Sequence, residues 1–235
     1  MMPKSSSLSV VMALCCLSAQ VCAASQMLLE QDFNDFDPEW SGVKGIEGDT
    51  GGEWRSFGNR ESSPRATADE AAGNGGLSIR IQRDDAAVET ADFWLIGRWA
   101  EDLYTGRVVL TFHVLRDTND SGFTVHFGTD EKTLGQNTIA IMVSNSGSYG
   151  GKLAVMGTDG AWTPVELSIP VGVWAKVGLT MDFGAMTYSV QVDGQSAPES
   201  IPFEMNGPLR QVSFVPIHPD GNVSYIDDVS LAVPE

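Results

Sequence analysis

The sequence predicts an all-β protein folded as a two-sheet antiparallel sandwich, and three observations carry that prediction. Apolar and polar residues alternate with a period of two in one short segment after another, the pattern of strands with one buried face. The 25 glycines and 11 prolines supply the many turns such a fold needs. No stretch of useful length carries a helical stripe. At 235 residues the chain has room for one large sandwich or two small domains. No repeat, low-complexity tail or linker marks a second domain, so residues 24–235 read as one.

Residues 1–23 stand apart. Lys4 precedes an apolar run from Leu8 to Val21, and Val21-Cys22-Ala23 supplies a small-residue cleavage site, so the segment reads as a cleavable secretory signal peptide. A membrane anchor would need about 20 apolar residues, more than this run provides. Cys15, Cys16 and Cys22 all lie in the segment, so the mature chain keeps no cysteine. Disulfides, thiolate nucleophiles and cysteine metal sites are excluded together. Cleavage leaves 13 basic residues against 31 acidic ones, a net charge of −18. That acidity repels nucleic acid and anionic membranes, and disfavours a strongly anionic polysaccharide unless basic residues cluster locally. The expected location is secreted or extracellular, at the cell surface or in the periplasm of a bacterium, with no membrane span in the mature chain.

Taken in order, Met27 to Trp40 reads as a first strand ending in an acidic turn, with Pro38 as the stop. Residues 42–76 are long, glycine-rich and irregular and hold Trp54, Arg55, Phe57, Arg60 and Arg65, a stretch either functional or structural. Leu77, Ile79 and Ile81 resume the alternation. Phe93 to Trp99, FWLIGRW, reads first as a central buried strand and second as a rim on which sugars stack. Val108, Leu110, Phe112 and Val114 share one face of the next strand, and Phe123, Val125 and Phe127 follow the turn 117–122, so the two read as a hairpin. Asp117-x-Asn119-x-Ser121-Gly122 matches the first half of a calcium loop, but Gly128 stands where the bidentate Glu belongs, and a turn is the better reading. Ile139, Ile141 and Val143, then Leu153 with Val155, mark two further strands. Trp162 to Ile169 leads across Pro170 into the clearest hairpin of the chain.

In that hairpin Ala175, Val177, Leu179, Met181 and Phe183 alternate with polar residues, the pattern breaks at Gly184-Ala185, and Tyr188, Val190 and Val192 resume it before Asp193-Gly194. Through Gly172-Val173-Trp174, Asp182 and Val192-Asp193-Gly194 it resembles the laminin-G-like branch of the concanavalin A-like lectin/glucanase jelly rolls. The resemblance implies a jelly-roll form of the sandwich and a carbohydrate ligand. Val212 with Phe214, and Val223 to Leu231, complete a set of about eleven to thirteen strands, within the range of such a fold.

In the last strand, Val223, Tyr225, Val229 and Leu231 share one face by alternation, which puts Asp227 on that apolar face unless a bulge intervenes. A buried lone carboxylate is costly and has to find a cation, an arginine or backbone donors. Tyr225 to Leu231 also resembles the final strand of secreted carbohydrate-binding jelly rolls, where an acidic residue helps hold a calcium ion against the first strand. That resemblance implies a structural calcium at Glu30, Asp32, Asp227 and Asp228, a hard ion suited to carboxylate oxygens. The alternative is a bulge that turns both aspartates to solvent.

Enzymatic chemistry has little support in the sequence. No phosphate loop or Gly-x-Ser-x-Gly occurs, and His113, His126 and His218 lack ligand spacing. A glycosidase needs two carboxyl groups about 5 to 10 Å apart. The Glu-x-Asp-x-Glu of laminarinase-like members of the resembled fold is absent, and Arg107-Val108-Val109-Leu110 and Ser213-Phe214-Val215 do not reproduce the alginate-lyase-like pattern. The expected function is therefore lectin-like binding of a polysaccharide or glycan. Trp54, Trp94, Trp99 and Tyr149 would stack on sugar faces while Asn145 bonds hydroxyls. A divergent glycoside hydrolase or polysaccharide lyase, and an adhesive or structural surface protein, are the alternatives.

Overall fold

The computed structural model describes residues 26–36, 46–47, 53–57, 65–67, 72, 76–82, 94–103, 105–119, 121–128, 139–143, 149, 151–217 and 223–234. The segment read as a signal peptide and Asn145 lie outside these residues, and for Glu53, Arg55, Phe57 and Trp94 the description covers the backbone. Among the described residues the chain forms strands and no helix. No helix long and apolar enough to cross a membrane occurs among them.

The strands form two antiparallel sheets, as the alternation predicts. The first runs β14 (Gln195–Ser196), β13 (Thr187–Val192), β12 (Ala175–Asp182), β7 (Arg107–Arg116), β17 (Val223–Val233), β5 (Ser78–Gln82) and β4 (Arg65–Thr67). Two more strands complete it: β1 (Gln26–Gln31) pairs with β17, and β15 (Ile201–Pro202) pairs with β13. The second runs β11 (Trp162–Ser168), β10 (Lys152–Met156), β9 (Ala140–Val143), β8 (Phe123–Gly128), β16 (Leu209–Pro216), β6 (Trp94–Leu103), β3 (Glu53–Phe57) and β2 (Ile46–Glu47).

The core lies between the sheets and is filled by the residues that alternation assigns to it. Ala175, Val177, Leu179 and Met181 of β12 and Tyr188, Val190 and Val192 of β13 are all buried. Asp193 and Gly194, both at positive φ (49° and 79°), make the two-residue turn from β13 into β14. Phe112 of β7 meets Phe214 edge-on at 5.3 Å across the sandwich, and Phe123 lies 6.2 Å away. The Tyr188 hydroxyl crosses from the first sheet and shares its one proton between the carbonyls of Met156 (2.8 Å) and Ala140 (3.0 Å) in the second. Burial pushes that hydroxyl well above its usual pKa, so it stays a donor.

Besides the seventeen strands among the described residues against about eleven to thirteen expected, and β2, β3 and β4 within residues 42–76 that read as irregular, two expectations need correction. The strands read as a hairpin around residues 117–122 lie in different sheets, β7 in the first and β8 in the second. The turn carries the chain across the sandwich, held by the buried Arg116 guanidinium, which donates to the carbonyls of Ser121, Ile169, Thr118 and Asn119. Carbonyls that a calcium loop would turn to an ion here surround an arginine. The second correction concerns β17, whose register against β7 shifts between Asp227 and Ser230, with Asp228 at φ 47°. This bulge reverses the facing, so Ile226 before it and Val229 and Leu231 after it all reach the core. Tyr225 and Asp227 fall on the opposite side of the sheet from those three.

Candidate functional site

The outer face of the second sheet carries an unusual polar row. Because Phe123, Val125 and Phe127 of β8 and Val212 and Phe214 of β16 point into the core, Thr124, His126, Gln211 and Ser213 point the other way. On β6 the same parity turns Ile96 and Arg98 outward and Leu95 and Trp99 inward. Gly97 faces inward with them: a Cβ there would stand 2.9 Å from the Trp54 ring and 2.8 Å from Leu29, so glycine is needed to let that ring pass. Register aligns Ile96, Ser213, His126 and Ala140 across four strands, and Met156 and Trp162 are opposed in β10 and β11 at the sheet edge.

Within the row, Arg98 Nε donates to Gln211 Oε1 at 3.2 Å, and His126 Nε2 shares a 2.8 Å hydrogen bond with Thr124 Oγ1. The Trp162 ring leans inward and meets the His126 ring edge-on at 6.1 Å. Trp162, His126 and Arg98 are partly exposed, whereas Gln211, Ser213 and Thr124 are buried beneath them. Burial holds His126 uncharged by lowering its pKa to about 4. Ser213 Oγ and His126 Nδ1 are buried and meet no hydrogen-bond partner.

Three of the four carboxylates named from the sequence, Glu30, Asp32 and Asp228, come together at the other face of the sandwich, because the two chain ends pair. Glu30 lies opposite Ser230 and Gln31 opposite Val229. Glu30, Asp32 and Asp228 line one polar pocket of about 260 Å³ with Thr111, His113 and Lys176. His113 Nδ1 lies 3.1 Å from Asp228 Oδ2, at an angle too poor for a hydrogen bond. Asp32 turns both oxygens to the backbone and side-chain nitrogens of Asn34. Asp227 is turned away from the pocket and accepts from the amides of Ala72 (2.9 Å) and Asp228 (2.8 Å), the backbone donors that a buried carboxylate requires. Burial first, and the neighbouring Asp228 and Asp32 charges second, raise its pKa to about 6 against those amides. Among the described residues no three acidic or histidine side chains stand in metal-binding geometry, and Lys176 on the rim works against a cation.

The aromatic residues named from the sequence divide. Trp54 is fully buried against Phe33 (5.3 Å) and Phe214 (6.5 Å), and Trp99 is buried with Nε1 donating to the Leu209 carbonyl. Neither presents a face to a sugar, because both sit on the inward parity of their strands. Trp94 opens β6 two residues before the outward Ile96, and Tyr149 is partly exposed in the turn before β10. Trp162 was missed, and so was the polar row. The signal available was a tryptophan opening an edge-strand sequence with exposed polar positions, TPVELS, after it. A larger cleft of about 360 Å³ opens between β11 and residues 197–202, rimmed by Glu166 and Glu199 and floored by Val155, Pro164 and Ile201. None of the buried, partnerless polar atoms of the described residues belongs to its lining.

No family model matches the chain, and no curated protein matches it. Solved structures match it at low identity. A GH131 beta-glucanase catalytic domain from Podospora anserina superposes with a TM-score of 0.54 at 17% identity, covering 88% of this chain and 95% of that one. Domain 4 of a GH43 extracellular arabinanase from Geobacillus stearothermophilus, solved with arabinotriose, gives 0.51 at 13% identity over 89% and 93%. A sialidase gives 0.52 at 10% identity over 81% of this chain and 22% of its own, so the chain spans about a fifth of that protein. The likeness is one of architecture, and this chain has the β-sandwich fold of these proteins.

Proposed function

We propose that this protein is a lectin-like carbohydrate binder acting outside the cell, with its ligand on the outer face of the second sheet. The sandwich is read as a concanavalin A-like jelly roll. The observation that carries the reading is the pair His126 and Ser213, cross-strand neighbours whose buried Nδ1 and Oγ lack partners. An unmet buried polar atom costs about 1–3 kcal/mol. Both atoms are closed to solvent as the chain stands, so a sugar hydroxyl that satisfies either has to displace the groups that cover it. Trp162 beside them offers an aromatic surface for the C–H face of a sugar ring. Trp94, Tyr149 and Asn145 belong to the same proposal as further contacts. The β-glucanase and the arabinotriose-bound domain among the similar folds support it. A glycan array tests it: binding to a restricted set of glycans is expected, and a flat response to all of them removes it.

A second reading, a hydrolase or lyase with a divergent site, draws on one observation. His126 is an uncharged imidazole whose buried Nδ1 has no partner, a nitrogen that could accept a proton if a substrate opened a way to it. Its pKa near 4 makes it a weak base at neutral pH, which is why binding comes first. Release of reducing ends or unsaturated products from a polysaccharide panel would establish catalysis.

A structural calcium is a separate proposal, assigned to Glu30, Asp32 and Asp228 with Asp227 behind them. An ion would have to draw the three pocket carboxylates together against Lys176. Thermal melts with added calcium and with chelator should then differ by several degrees, and coincident melts would remove calcium from the account.

A further inference from the structure

We propose that the cleft between β11 and residues 197–202 is a docking site for a basic side chain, lysine or arginine, of a partner protein. It lies at the open side of the sandwich, where β11, the end strand of the second sheet, meets the segment joining β14 to β15 at the end of the first. It is apart from the glycan face and does not depend on it.

Pro164, Pro198 and Pro202 in the lining are exposed and have no N–H to donate, and Val165 beside them is partly exposed. Among the described residues the only side-chain donors in the lining are the Thr163 and Ser200 hydroxyls, and no basic side chain reaches it. Acceptors are in excess. Glu166 on the rim is paired with Lys152 at 2.6 Å, whereas Glu199 is exposed and meets no partner among the described residues. A sugar ring would leave most of its hydroxyls facing proline, and an added strand would meet three residues with no N–H. A lysine or arginine instead covers the prolines and Val165 with its methylene stem and carries its charge to Glu199.

Both walls are fixed before any partner arrives. The Ala197 amide donates to the Val190 carbonyl at 2.9 Å and the Phe203 amide to that of Met186 at 3.0 Å, so the segment between them is held at each end. Opposite, the Gly157 amide donates to the Ala161 carbonyl at 3.0 Å and closes the turn from β10 into β11. A cleft of about 360 Å³ held open in this way asks little ordering of the chain when it is filled. The formal net charge of −17 adds a long-range attraction for a basic partner and a repulsion for an acidic one.

Three peptides alike except for a central lysine, norleucine or glutamate, titrated into the isotope-labelled full mature chain and followed by amide chemical shifts, test this. The lysine peptide should shift the amides of Thr163, Val165, Glu199 and Ser200. Norleucine keeps the apolar stem without the charge and should bind at least roughly fivefold more weakly, and the glutamate peptide should not bind. Glu199→Gln, an exposed change that leaves both walls in place, should bring the lysine peptide down to the norleucine affinity. Equal affinities for lysine and norleucine, or a Glu199→Gln chain that binds lysine as tightly as wild type, would overturn the pairing with Glu199 and the proposal with it. Shifts confined to other acidic surfaces, or no shifts with any peptide, would remove the site itself.

Discussion

Asp227, which is buried, and His126, whose ring is mostly enclosed, are titratable groups whose pKa values have moved in opposite directions, and their effects on stability oppose each other over nearly the same pH range. Asp227, raised from 3.8 to about 6, binds its proton more tightly folded than unfolded. The stability it contributes is present at low pH and is lost as pH rises through 6. His126, lowered from 6.5 to about 4, contributes stability that is present above 6.5 and lost as pH falls through 4. Relative to wild type, Asp227→Asn should lose stability as pH falls from 6.5 to 4, by up to about 3 kcal/mol. His126→Gln should gain relative stability over the same descent. Urea midpoints measured against pH would check both, and curves parallel to wild type would contradict them. At this scale the sequence was partly legible. It named Asp227 as a carboxylate in need of backbone donors or a cation, and the amides of Ala72 and Asp228 answer that need. It ranked tryptophans by their neighbours in the chain, which put the buried Trp54 and Trp99 ahead of Trp162. Parity within a strand, not membership of an aromatic-rich stretch, decides which ring sees solvent.

Arg116 fixes how two elements meet. Its guanidinium joins the β7–β8 turn to the Ile169 carbonyl, at the point where the chain leaves one sheet for the other. Arg116→Met keeps the length of the side chain and leaves those buried carbonyls without their donor. Such a change should cost at least about 3 kcal/mol in chemical denaturation, and a loss under about 1 kcal/mol would show that water replaces the guanidinium. The strands themselves were legible from period-two alternation, which placed the β12–β13 pair and its Asp193-Gly194 turn where they occur. Pairing was less so. Alternation gives the faces of a strand but not its neighbour, so a cross-sandwich turn reads like a hairpin. The bulge at Asp228 was likewise invisible as fact, although an aspartate at an apolar position was the sign that the parity must slip.

Across the whole molecule, the pairing of β1 with β17 brings the two ends of the described chain into one sheet, as the resemblance of the last strand to that of carbohydrate-binding jelly rolls, where it lies against the first, led one to expect. The two-sheet fold was therefore readable from the sequence. The candidate site was not, because it is assembled from β6, β8, β16 and β11, which are far apart in the chain and become neighbours only through the sheet order. Residues such as Thr124, Ser213 and Gln211 look unremarkable singly and gain meaning from register. The proposed glycan site is this outer face, with Trp162 at its edge. Titration of Trp162→Ala against the best glycan from an array tests it most directly, with a thermal melt to show that the variant is folded. The affinity should fall at least about tenfold, near 1.4 kcal/mol, and a folded variant that binds as tightly as wild type would contradict it.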